Sequence, residues 1–369
     1  MKKNVAYIIL FGCILVFIAV ADLWKEEKHF SESENRILAQ KPTFHIKQFI
    51  EGNFREEYEE YVSDQFLYRD TWVLLKTYAD IAFAKKEING VYLVSSDTLL
   101  EKHDVKMLEE KSEEKLEQLK ELSKWCDGKY DLSVILVPTA DEVYKDKLPK
   151  YAPHFDQENF LNEAEQIVGS THFINVEEIL KERKRAYIYY RTDHHWTTLG
   201  AFYAYQVWGE KKGVEPLSLD KFTRETISED FLGTLQSKVN IPMKPDKMEI
   251  FIPKVEQKYS IYYDFTDEVE SRLYEKKYFN RKDKYSAFLN GNHAFIEIQT
   301  ENHNGKNVMV VKDSYANCFI PFLTSHYEDI YVVDFRYYRG NLQDLLEEYE
   351  VDDILVLYNV VHFIEEFRY

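Results

Sequence analysis

The residues best suited to chemistry lie together in the run Thr-Asp-His-His-Trp-Thr at positions 192–197. An apolar, aromatic stretch precedes this run, and residues 199–203 after it are typical of a helix start. Loops held between rigid elements often carry catalytic acids and bases. Asp193 lies two residues before His195, a spacing that allows the carboxylate to orient the imidazole and to stabilise its charged form. The run therefore supplies an acid–base pair that lacks a nucleophile.

A candidate nucleophile lies much later in the chain. Residues 308–311 (Val-Met-Val-Val) predict a buried strand, and this strand runs into a turn that carries Ser314. Such a turn exposes the serine hydroxyl at the end of a strand, and it leaves the next backbone N–H, that of Tyr315, as an oxyanion donor. A serine hydroxyl is a poor nucleophile without a base within hydrogen-bond reach. We therefore predict that Ser314, His195 and Asp193 form one triad.

The Asp-His-His-Trp run at positions 193–196 resembles the DHHW-motif family. Its Asp-x-His spacing, combined with the later Asp-Ser pair, is similar to the alginate O-acetyltransferase group, which has an SGNH-hydrolase-like fold. The likeness covers most of the chain after the N-terminal segment. It includes, in order, Asn35-Arg36, Asp64 to Asp70, Asn89 to Tyr92 and Val137 to Thr139.

The resemblance implies a flavodoxin-like parallel sheet. It also implies O-acetyl transfer to a cell-surface or secreted polysaccharide through an acetyl-enzyme. A membrane-bound O-acyltransferase is the implied supplier of acetyl groups, and we expect no cofactor. A carbohydrate esterase with the same triad and a non-catalytic glycan-binding protein are the alternatives.

SGNH enzymes use a Gly and an Asn as oxyanion donors, each following a core strand. Residues 354–358 predict a strand that ends at Asn359, so Asn359 is a candidate oxyanion donor, with a strand-end cap as the alternative. The Asp/His pair precedes the Ser here, so the motif order is circularly permuted. Lys312 stands where the family usually has Gly, and Asp313-Ser314 could also be a helix cap.

Three further residues near the motifs are candidates for substrate binding. They are Trp196, His194 and Arg336, for which packing, a structural hydrogen bond and a structural salt bridge are the respective alternatives. The adjacent His194 and His195 also suggest a metal. However, neighbouring side chains on an extended segment point in opposite directions, and no third ligand is evident, so we predict no metal site.

The N-terminus predicts a membrane segment. Lys2 and Lys3 precede the uncharged run from Val5 to Ala21, which approaches the roughly 20 residues needed to span a bilayer. The two lysines predict a cytoplasmic N-terminus and an extracytoplasmic catalytic domain. Residues 1–24 are thus an uncleaved signal anchor, or else a signal peptide cleaved after Ala21.

Composition limits the possible partners. The net charge of −18 argues against nucleic-acid binding. It favours a neutral glycan over an anionic one, with solubility of the protein as the alternative reason for the acidity. A hydrophobic content of 45% argues against a disordered chain. Cys126 and Cys318 leave one disulfide open, and no zinc-type spacing occurs.

The chain divides into a connector at residues 25–60 and an SGNH-like α/β catalytic domain at 61–369. A β-rich insertion is predicted at about 214–300, and alternating strands and helices follow it, which favours a parallel sheet. Within the insertion, the segment Gly-Thr-Leu-Gln-Ser-Lys at 233–238 resembles a recurrent segment of these families. We interpret it as a structural turn, with approach to the substrate as the alternative.

Overall fold

The computed structural model describes residues 2–31, 33–34, 36–95 and 97–369. Asn35, which belongs to the resemblance described above, lies outside this range. So do the side chains of Lys2, Lys3 and Ala19, on which the predictions of topology and signal cleavage depend. The chain forms two compact units. Unit 1 contains Met1–Ile88 and Ser237–Pro242, and unit 2 contains Asn89–Gln236 and Met243–Tyr369.

Unit 1 is mainly helical. Its helices are α1 (Lys2–Trp24), α2 (Ile46–Glu51), α3 (Asn53–Asp64) and α4 (Arg69–Ala82), and its short strands are β1 (Phe30–Ser31), β2 (Arg36–Ile37) and β3 (Glu87–Ile88). Within α1, the stretch Val5–Asp22 is long and apolar enough to cross a membrane. A membrane anchor and a signal sequence both fit this stretch.

The boundary between the units differs from the predicted one at residue 61. Asp64, at the end of α3, accepts hydrogen bonds from Arg36 Nη1 at 2.7 Å and from the Ala39 N–H at 2.8 Å. Gln65 Nε2 donates to the Lys28 carbonyl at 2.8 Å. These bonds tie the predicted connector to the helices that follow it, so residues 61–88 belong with the N-terminal unit.

Unit 2 alternates helices and strands. Its helices are α5 (Val105–Cys126), α6 (Ala140–Val143), α7 (Gln157–Val168), α8 (Glu177–Glu182), α9 (Thr198–Lys212), α11 (Ile320–Leu323), α12 (Leu342–Glu348) and α13 (Val360–Glu366), while α10 (Thr234–Val239) begins in this unit. Its strands are β4 (Val91–Leu93), β5 (Leu99–Glu101), β6 (Asp131–Val137), β7 (Phe222–Phe231), β8 (Asp246–Pro253), β9 (Ser260–Tyr263), β10 (Val269–Glu270), β11 (Phe295–Gln299), β12 (Asn307–Lys312), β13 (Asp329–Val333) and β14 (Asp353–Asn359).

A seven-stranded sheet in the order β10-β9-β11-β13-β12-β14-β6 forms the centre of unit 2. The neighbours β13, β12, β14 and β6 pair in parallel, whereas β11 pairs antiparallel with both β13 and β9. The predicted parallel pairing is therefore confirmed for β13, β12, β14 and β6, whereas the sheet as a whole is mixed. Three strands of the predicted insertion extend the sheet and cover the backbone edge that β13 would otherwise expose.

Side chains alternate between two apolar layers along the central strands. On β12, Val308 and Val310 join the layer that contains Trp196 and Trp208, while Met309 and Val311 join the opposite layer. All four side chains of this strand are almost fully buried. Because a strand covered on both faces needs apolar residues throughout, β12 has no polar face. The layer that contains Met309 and Val311 also includes residues of α5, α7 and α13.

The carboxyl ends of the parallel strands meet at one edge of the sheet. Ser314 follows β12, Asn359 ends β14, and Thr139 follows β6. Ligands of open α/β sheets bind outside the carboxyl ends of the strands. This edge is therefore where the predicted nucleophile and the second oxyanion candidate come close together. Elsewhere in the unit, Cys126 and Cys318 are both buried and not joined to each other.

Lys312, at the end of β12, is fully buried. Its Nζ lies 3.3 Å from Asp334 Oδ2 and donates to Asn317 Oδ1 at 2.8 Å. Burial lowers the pKa of Lys312, while the nearby Asp334 carboxylate opposes that shift. The position that carries Gly in the family thus holds a lysine that joins the ends of two strands.

We expect Lys312→Met to lower the free energy of unfolding by about 3 kcal/mol, because Asp334 would stay buried with one partner fewer. Urea unfolding of the full chain measures this loss. The control is Lys120→Met, whose exposed partner is Glu117 at 2.7 Å. That change should cost about 0–1 kcal/mol. Equal losses in the two variants would contradict a structural role for the buried pair.

Candidate active site

The loop that carries the Asp-His-His-Trp run is fixed at both ends. At its start, the Thr192 N–H and Oγ1 donate to Asp246 Oδ2 on β8, at 2.8 and 2.6 Å. The Arg191 N–H donates to the same carboxylate at 3.1 Å. Asp246 is fully buried, and these donors compensate for its lost hydration. At the end of the loop, Thr197 caps α9 and accepts the Gly200 N–H at 3.3 Å.

Asp193, His195 and Ser314 form a continuous chain of hydrogen bonds. His195 Nδ1 donates to Asp193 Oδ1 at 2.6 Å, and His195 Nε2 accepts from Ser314 Oγ at 2.8 Å. With its proton held on Nδ1, the imidazole presents a lone pair to the serine hydroxyl. His195 and Ser314 each expose only 6% of their surface. This arrangement can remove a proton from Ser314 in a site that is largely shielded from water.

The Asp193 carboxylate is buried and accepts four hydrogen bonds. Oδ1 also accepts the His195 N–H at 3.0 Å, and Oδ2 accepts the N–H and Oγ1 of Thr234 at 2.8 and 3.1 Å. Burial alone would raise the pKa of Asp193, but electrostatic interaction with the adjacent imidazoles and these hydrogen bonds hold it well below its usual range. Asp193 is therefore ionised at neutral pH.

Gly233 permits Thr234 to approach Asp193 so closely. A Cβ at position 233 would lie 2.2 Å from Asp193 Cβ and 2.3 Å from Oδ2, distances at which atoms overlap. The neighbouring Gln236 N–H donates to the Thr192 carbonyl at 3.0 Å. The segment from Gly233 to Gln236 thus supports the loop from one side.

Aromatic rings enclose the His195 imidazole. The Tyr285 ring stacks on it with a centroid distance of 3.7 Å and an interplanar angle of 13°, and the His194 ring centroid lies 3.9 Å away. The Tyr285 hydroxyl donates to the Ser314 carbonyl at 3.2 Å. These contacts restrict rotation of the imidazole and link it to the turn that carries the serine.

His194 lies beside the Asp193–His195–Ser314 chain and lines the adjoining cavity. Its Nδ1 bonds Thr234 Oγ1 at 2.7 Å. Burial, together with the charge of His195, lowers the pKa of His194 to about 4. His194 is therefore neutral at neutral pH, and it adds no positive charge beside His195.

Asp193, His194 and His195 bring ligand atoms to within 4.8 Å of one another, as a metal site would require. Both ring nitrogens of His195 are already engaged, one by Asp193 and the other by Ser314. Nδ1 of His194 is hydrogen-bonded to Thr234 Oγ1. A metal here would have to displace these partners, so the donor set fits a proton relay better than a metal.

The two predicted oxyanion donors both bond Asp313. The Tyr315 N–H donates to Asp313 Oδ1 at 2.8 Å, so the interpretation of this N–H as a free oxyanion donor does not fit the structure. Asn359 Nδ2 donates to Asp313 Oδ2 at 2.7 Å. Because an amide nitrogen carries two hydrogens, Asn359 retains a second donor. Its side-chain oxygen caps α13 by accepting the His362 N–H at 2.9 Å.

Two of the three substrate-binding candidates lie away from the cavity. Trp196 is fully buried, and its Nε1 donates to the Tyr315 carbonyl at 2.9 Å, so it packs beneath the serine turn. Arg336 forms a two-pronged ion pair with Asp334, with Nε–Oδ1 and Nη2–Oδ2 distances of 2.9 and 2.6 Å. For both residues the structural alternative describes the observed contacts.

A cavity of about 150 Å³ adjoins the serine turn. The residues that line it are mostly polar and include His103, Asp141, His194, Tyr315, Asn359 and His362. At its far wall, His103 Nε2 donates to Asp141 Oδ1 at 3.0 Å, and Thr139 Oγ1 donates to the same oxygen at 2.6 Å. Hydrogen-bonding side chains around a small cavity suit a ligand that is rich in hydroxyl groups.

Sequence reasoning missed four residues that shape this site. They are Thr234, Asp246, Tyr285 and His362. The segment that contains Thr234 was singled out, but its contact with Asp193 depends on tertiary structure. No local pattern marks Asp246 or Tyr285 as partners of the loop. His362 carried one available signal, since it lies three residues after the oxyanion candidate Asn359.

Comparison with known proteins bears on this geometry. Residues 159–333, which include the Asp-His-His-Trp run and Ser314, match the DHHW protein family. No curated protein sequence gives a significant match. The family segment contains the three residues of the hydrogen-bonded chain, whereas Asn359 and His362 lie beyond it.

Solved structures share the fold. A DHHW family protein from Eubacterium siraeum is 22% identical, with a TM-score of 0.61, over 76% of this chain and 96% of that one. PatB1 of Bacillus cereus is 19% identical, with a TM-score of 0.62, over 75% of this chain and 99% of that one. PatB1 has also been solved with a sulfonyl adduct. The O-acetyltransferase domain of Pseudomonas putida AlgJ is 16% identical over 76% and 94% of the two chains, at a TM-score of 0.47.

We expect Gly233→Ala to displace Asp193, because the added Cβ would overlap that side chain. Overpacking of this kind costs about 1–3 kcal/mol of unfolding free energy. Thermal unfolding should show that loss, and any activity that depends on Ser314 should fall much further than stability does.

The matched control for Gly233→Ala is Gly340→Ala. A Cβ at position 340 would meet the Tyr338 ring at 2.6–2.7 Å, and Tyr338 does not line the cavity. This variant should lose stability but keep its activity. If Gly233→Ala retains activity at a stability loss similar to that of the control, the close approach to Asp193 has no functional importance.

We expect the protein to lose stability as the pH falls from about 6.5 towards 4. Burial lowers the pKa values of His194 and His326 to about 4. Between those values and about 6.5, the unfolded chain therefore binds protons at these histidines that the folded chain does not bind. His326→Gln removes one titration and can still bond the Tyr205 hydroxyl, which lies 2.7 Å from His326 Nε2. Urea unfolding at about pH 7 and pH 5 should show a smaller loss in this variant than in the unmodified protein. An identical loss of stability in the variant and the unmodified protein would show that His326 does not contribute to the pH dependence.

Proposed function

We propose that this chain is an extracytoplasmic O-acetyltransferase that acts on a cell-surface or secreted polysaccharide through an acetyl-enzyme. The observation that carries the proposal is the chain of hydrogen bonds at 2.6 and 2.8 Å that links Asp193 to His195 and His195 to Ser314. A nucleophile bonded to a base, which is itself oriented by an acid, is the arrangement that acyl transfer requires. The choice of acetyl groups and polysaccharide rests on the resemblance of the motifs to the alginate group.

In the first step, Ser314 Oγ attacks the carbonyl carbon of an acetyl donor. The serine proton passes to His195 Nε2, and the positive charge that forms on the imidazole is stabilised by the ionised Asp193. The tetrahedral intermediate then collapses, the bond to the leaving group breaks, and His195 returns the proton to that group. The product is an acetyl ester on Ser314.

In the second step, a sugar hydroxyl attacks the acetyl ester on Ser314. His195 Nε2 accepts the hydroxyl proton, the new ester bond forms, and the bond to Ser314 Oγ breaks as the serine recovers a proton from His195. The cavity beside Ser314 supports this acceptor role, because its carboxylate and imidazole groups suit a ligand that offers hydroxyl donors.

Two donors are proposed for the oxyanion. One is the second amide hydrogen of Asn359, whose side chain is fixed by its bond to Asp313. The other is the Ser314 N–H, for which no hydrogen-bond acceptor is found in the described part of the chain. Preorganised donors at the position of the developing charge contribute most of the rate enhancement in many enzymes.

We also propose that the core of unit 2 is SGNH-like with its motifs in a permuted order. Ser314 follows β12 and Asn359 ends β14, and these strands are neighbours in the parallel part of the sheet. The strand β6 and the Asp193–His195 pair come earlier in the chain, and β6 pairs with β14 on the side away from β12. This combination of chain order and spatial order is what a permuted core requires.

The membrane arrangement and the donor system belong to the same proposal. The apolar helix α1 would anchor the chain with its N-terminus inside and unit 2 outside. A membrane-bound O-acyltransferase would supply acetyl groups, as the resemblance implies. The net charge of −18 supports a neutral glycan as the acceptor.

A carbohydrate esterase is the second candidate, because the same hydrogen-bonded chain would serve water as the acceptor. What separates the two functions is the preference of the cavity for a sugar hydroxyl over water. The polar but small cavity favours a specific acceptor, and acetylated product is the measurement that distinguishes the two.

We expect Ser314→Ala and His195→Ala to lower the turnover of a fluorogenic acetyl ester by about 10³-fold or more, because nucleophile and base act as a unit. The assay uses the full chain in detergent with a neutral oligosaccharide, and it measures both acetate release and mass gain of the glycan. Acetylated glycan supports the transferase, and acetate alone supports the esterase. Equal turnover by folded variants and the unmodified protein would refute both.

A sulfonyl fluoride gives a second readout of the same prediction. PatB1, which shares the fold, has been solved with a sulfonyl adduct. If Ser314 is activated, its oxygen should displace fluoride to form a sulfonyl ester, while the proton passes to His195. Mass spectrometry should find one adduct, on Ser314, that is absent from Ser314→Ala and much slower to form in His195→Ala.

A further inference from the structure

A second carboxylate–imidazole pair is formed by His362 and by Asp313, the residue before Ser314. His362, in the first turn of α13, donates from Nδ1 to Asp313 Oδ2 at 3.0 Å. Asp313 is fully buried and directly precedes Ser314. The mechanism described above does not use this pair, although it is connected to the same turn as the nucleophile.

Asp313 accepts hydrogen bonds from three residues around the serine turn, Tyr315, Asn359 and His362. Its Oδ2 accepts the Asn359 N–H at 3.1 Å, Asn359 Nδ2 at 2.7 Å and His362 Nδ1, while its Oδ1 accepts the Tyr315 N–H. Asn359 and His362 are therefore positioned by one oxygen atom. A side chain fixed in this way loses little entropy when it meets a ligand.

The Nε2 atom of His362 remains available. Within the residues that the structure describes, the hydrogen bonds of the His362 ring are made by Nδ1 alone. The side chain keeps a quarter of its surface exposed, and it lines the cavity together with Asn359 and Tyr315. An N–H at Nε2 is therefore available to a ligand in this cavity, which Tyr315, the residue after Ser314, also lines.

Given the proposed function, we propose that His362 is a catalytic residue: its Nε2–H donates a charge-assisted hydrogen bond to the oxyanion that forms from the acetyl carbonyl oxygen. In this role it joins the second hydrogen of Asn359 and takes the place of the Tyr315 N–H, which Asp313 occupies. Donors that carry a full charge form hydrogen bonds about twice as strong as neutral ones.

The electrostatic surroundings favour the protonated ring. Burial alone would lower the pKa of His362, but its hydrogen bond to Asp313 and the charge of that carboxylate outweigh burial and raise it. Arg336 opposes the raised pKa. The other titratable groups that face His362 or share its cavity are Glu365 and Glu366 of α13, His194, His103, Asp141, Glu101, Lys102, Asp104 and Tyr315.

This role predicts a specific pH profile for kcat/KM with the fluorogenic acetyl ester. On the alkaline side, kcat/KM should fall as His362 loses its proton and ceases to be a charged donor, with a midpoint above the ordinary histidine value of about 6.5. A wild-type profile without an alkaline decline would overturn the proposal.

Two substitutions separate catalysis from positioning. His362→Asn places an amide nitrogen near the position of Nδ1, so the bond to Asp313 is kept and the distal donor is lost. His362→Gln places an amide nitrogen near Nε2, so a neutral distal donor is kept and the bond to Asp313 is lost. Thermal unfolding of the full chain in detergent reports whether each variant is folded.

We expect His362→Asn to lower kcat by about 100-fold with little change in KM, as for the loss of other oxyanion donors. His362→Gln should retain more activity, and neither variant should show the alkaline decline. If His362→Asn is fully active and His362→Gln is impaired, His362 merely positions Asp313 and the proposal is wrong. Full activity in both variants, or an alkaline decline that persists in either, also overturns it.

Ser314→Ala in the same assay keeps this test separate from the proposed function. If Ser314→Ala is as active as the unmodified protein, the serine mechanism itself fails. If Ser314→Ala is inactive while His362→Asn behaves like the unmodified protein, only the role of His362 fails.

Discussion

The site depends on the need of one buried carboxylate for hydrogen-bond donors. Asp193 is almost completely removed from water, and a buried anion without donors would be strongly destabilising. His195 and Thr234 supply two donors each. Because these donors come from the motif loop and from a segment far along the chain, satisfying Asp193 brings the two together. The same bonds fix the tautomer of His195 and aim its lone pair at Ser314.

Asp313 repeats this arrangement at the residue before the nucleophile. It is also fully buried, and its donors come from the serine turn and from the start of α13. The site thus contains two anchored carboxylates, one of which orients a base and the other a set of donors. The lysine at position 312 and its partner Asp334 add a third buried charge pair beneath the turn. Such charges hold a turn in one conformation because each loses much if its partners move.

The sequence predicted the parts of this molecule that local patterns determine. Apolar runs located β12 and β14, and the residues after those runs include Ser314 and Asn359. The antiparallel half of the sheet was not predicted, because short alternating strands do not show which edge they will join. Likewise, the position of Tyr315 after a serine suggested its backbone N–H as an oxyanion donor. Only the folded structure shows that this N–H donates to the Asp313 carboxylate instead. The contacts of Thr234 and Asp246 depend on tertiary approach, which leaves no periodic signal.

The order of strands in the sheet has a consequence for the nascent protein. Of the seven strands in this sheet, β6 is synthesised first and β14 last, yet β14 lies between β12 and β6. The hydrophobic strand β6 therefore remains unpaired with its neighbour β14 while most of the chain is still being synthesised. Until β14 is made, Asn359 is missing, and the strand that leads to Ser314 is paired only with β13. The chain thus gains a complete site only after β14 has been synthesised.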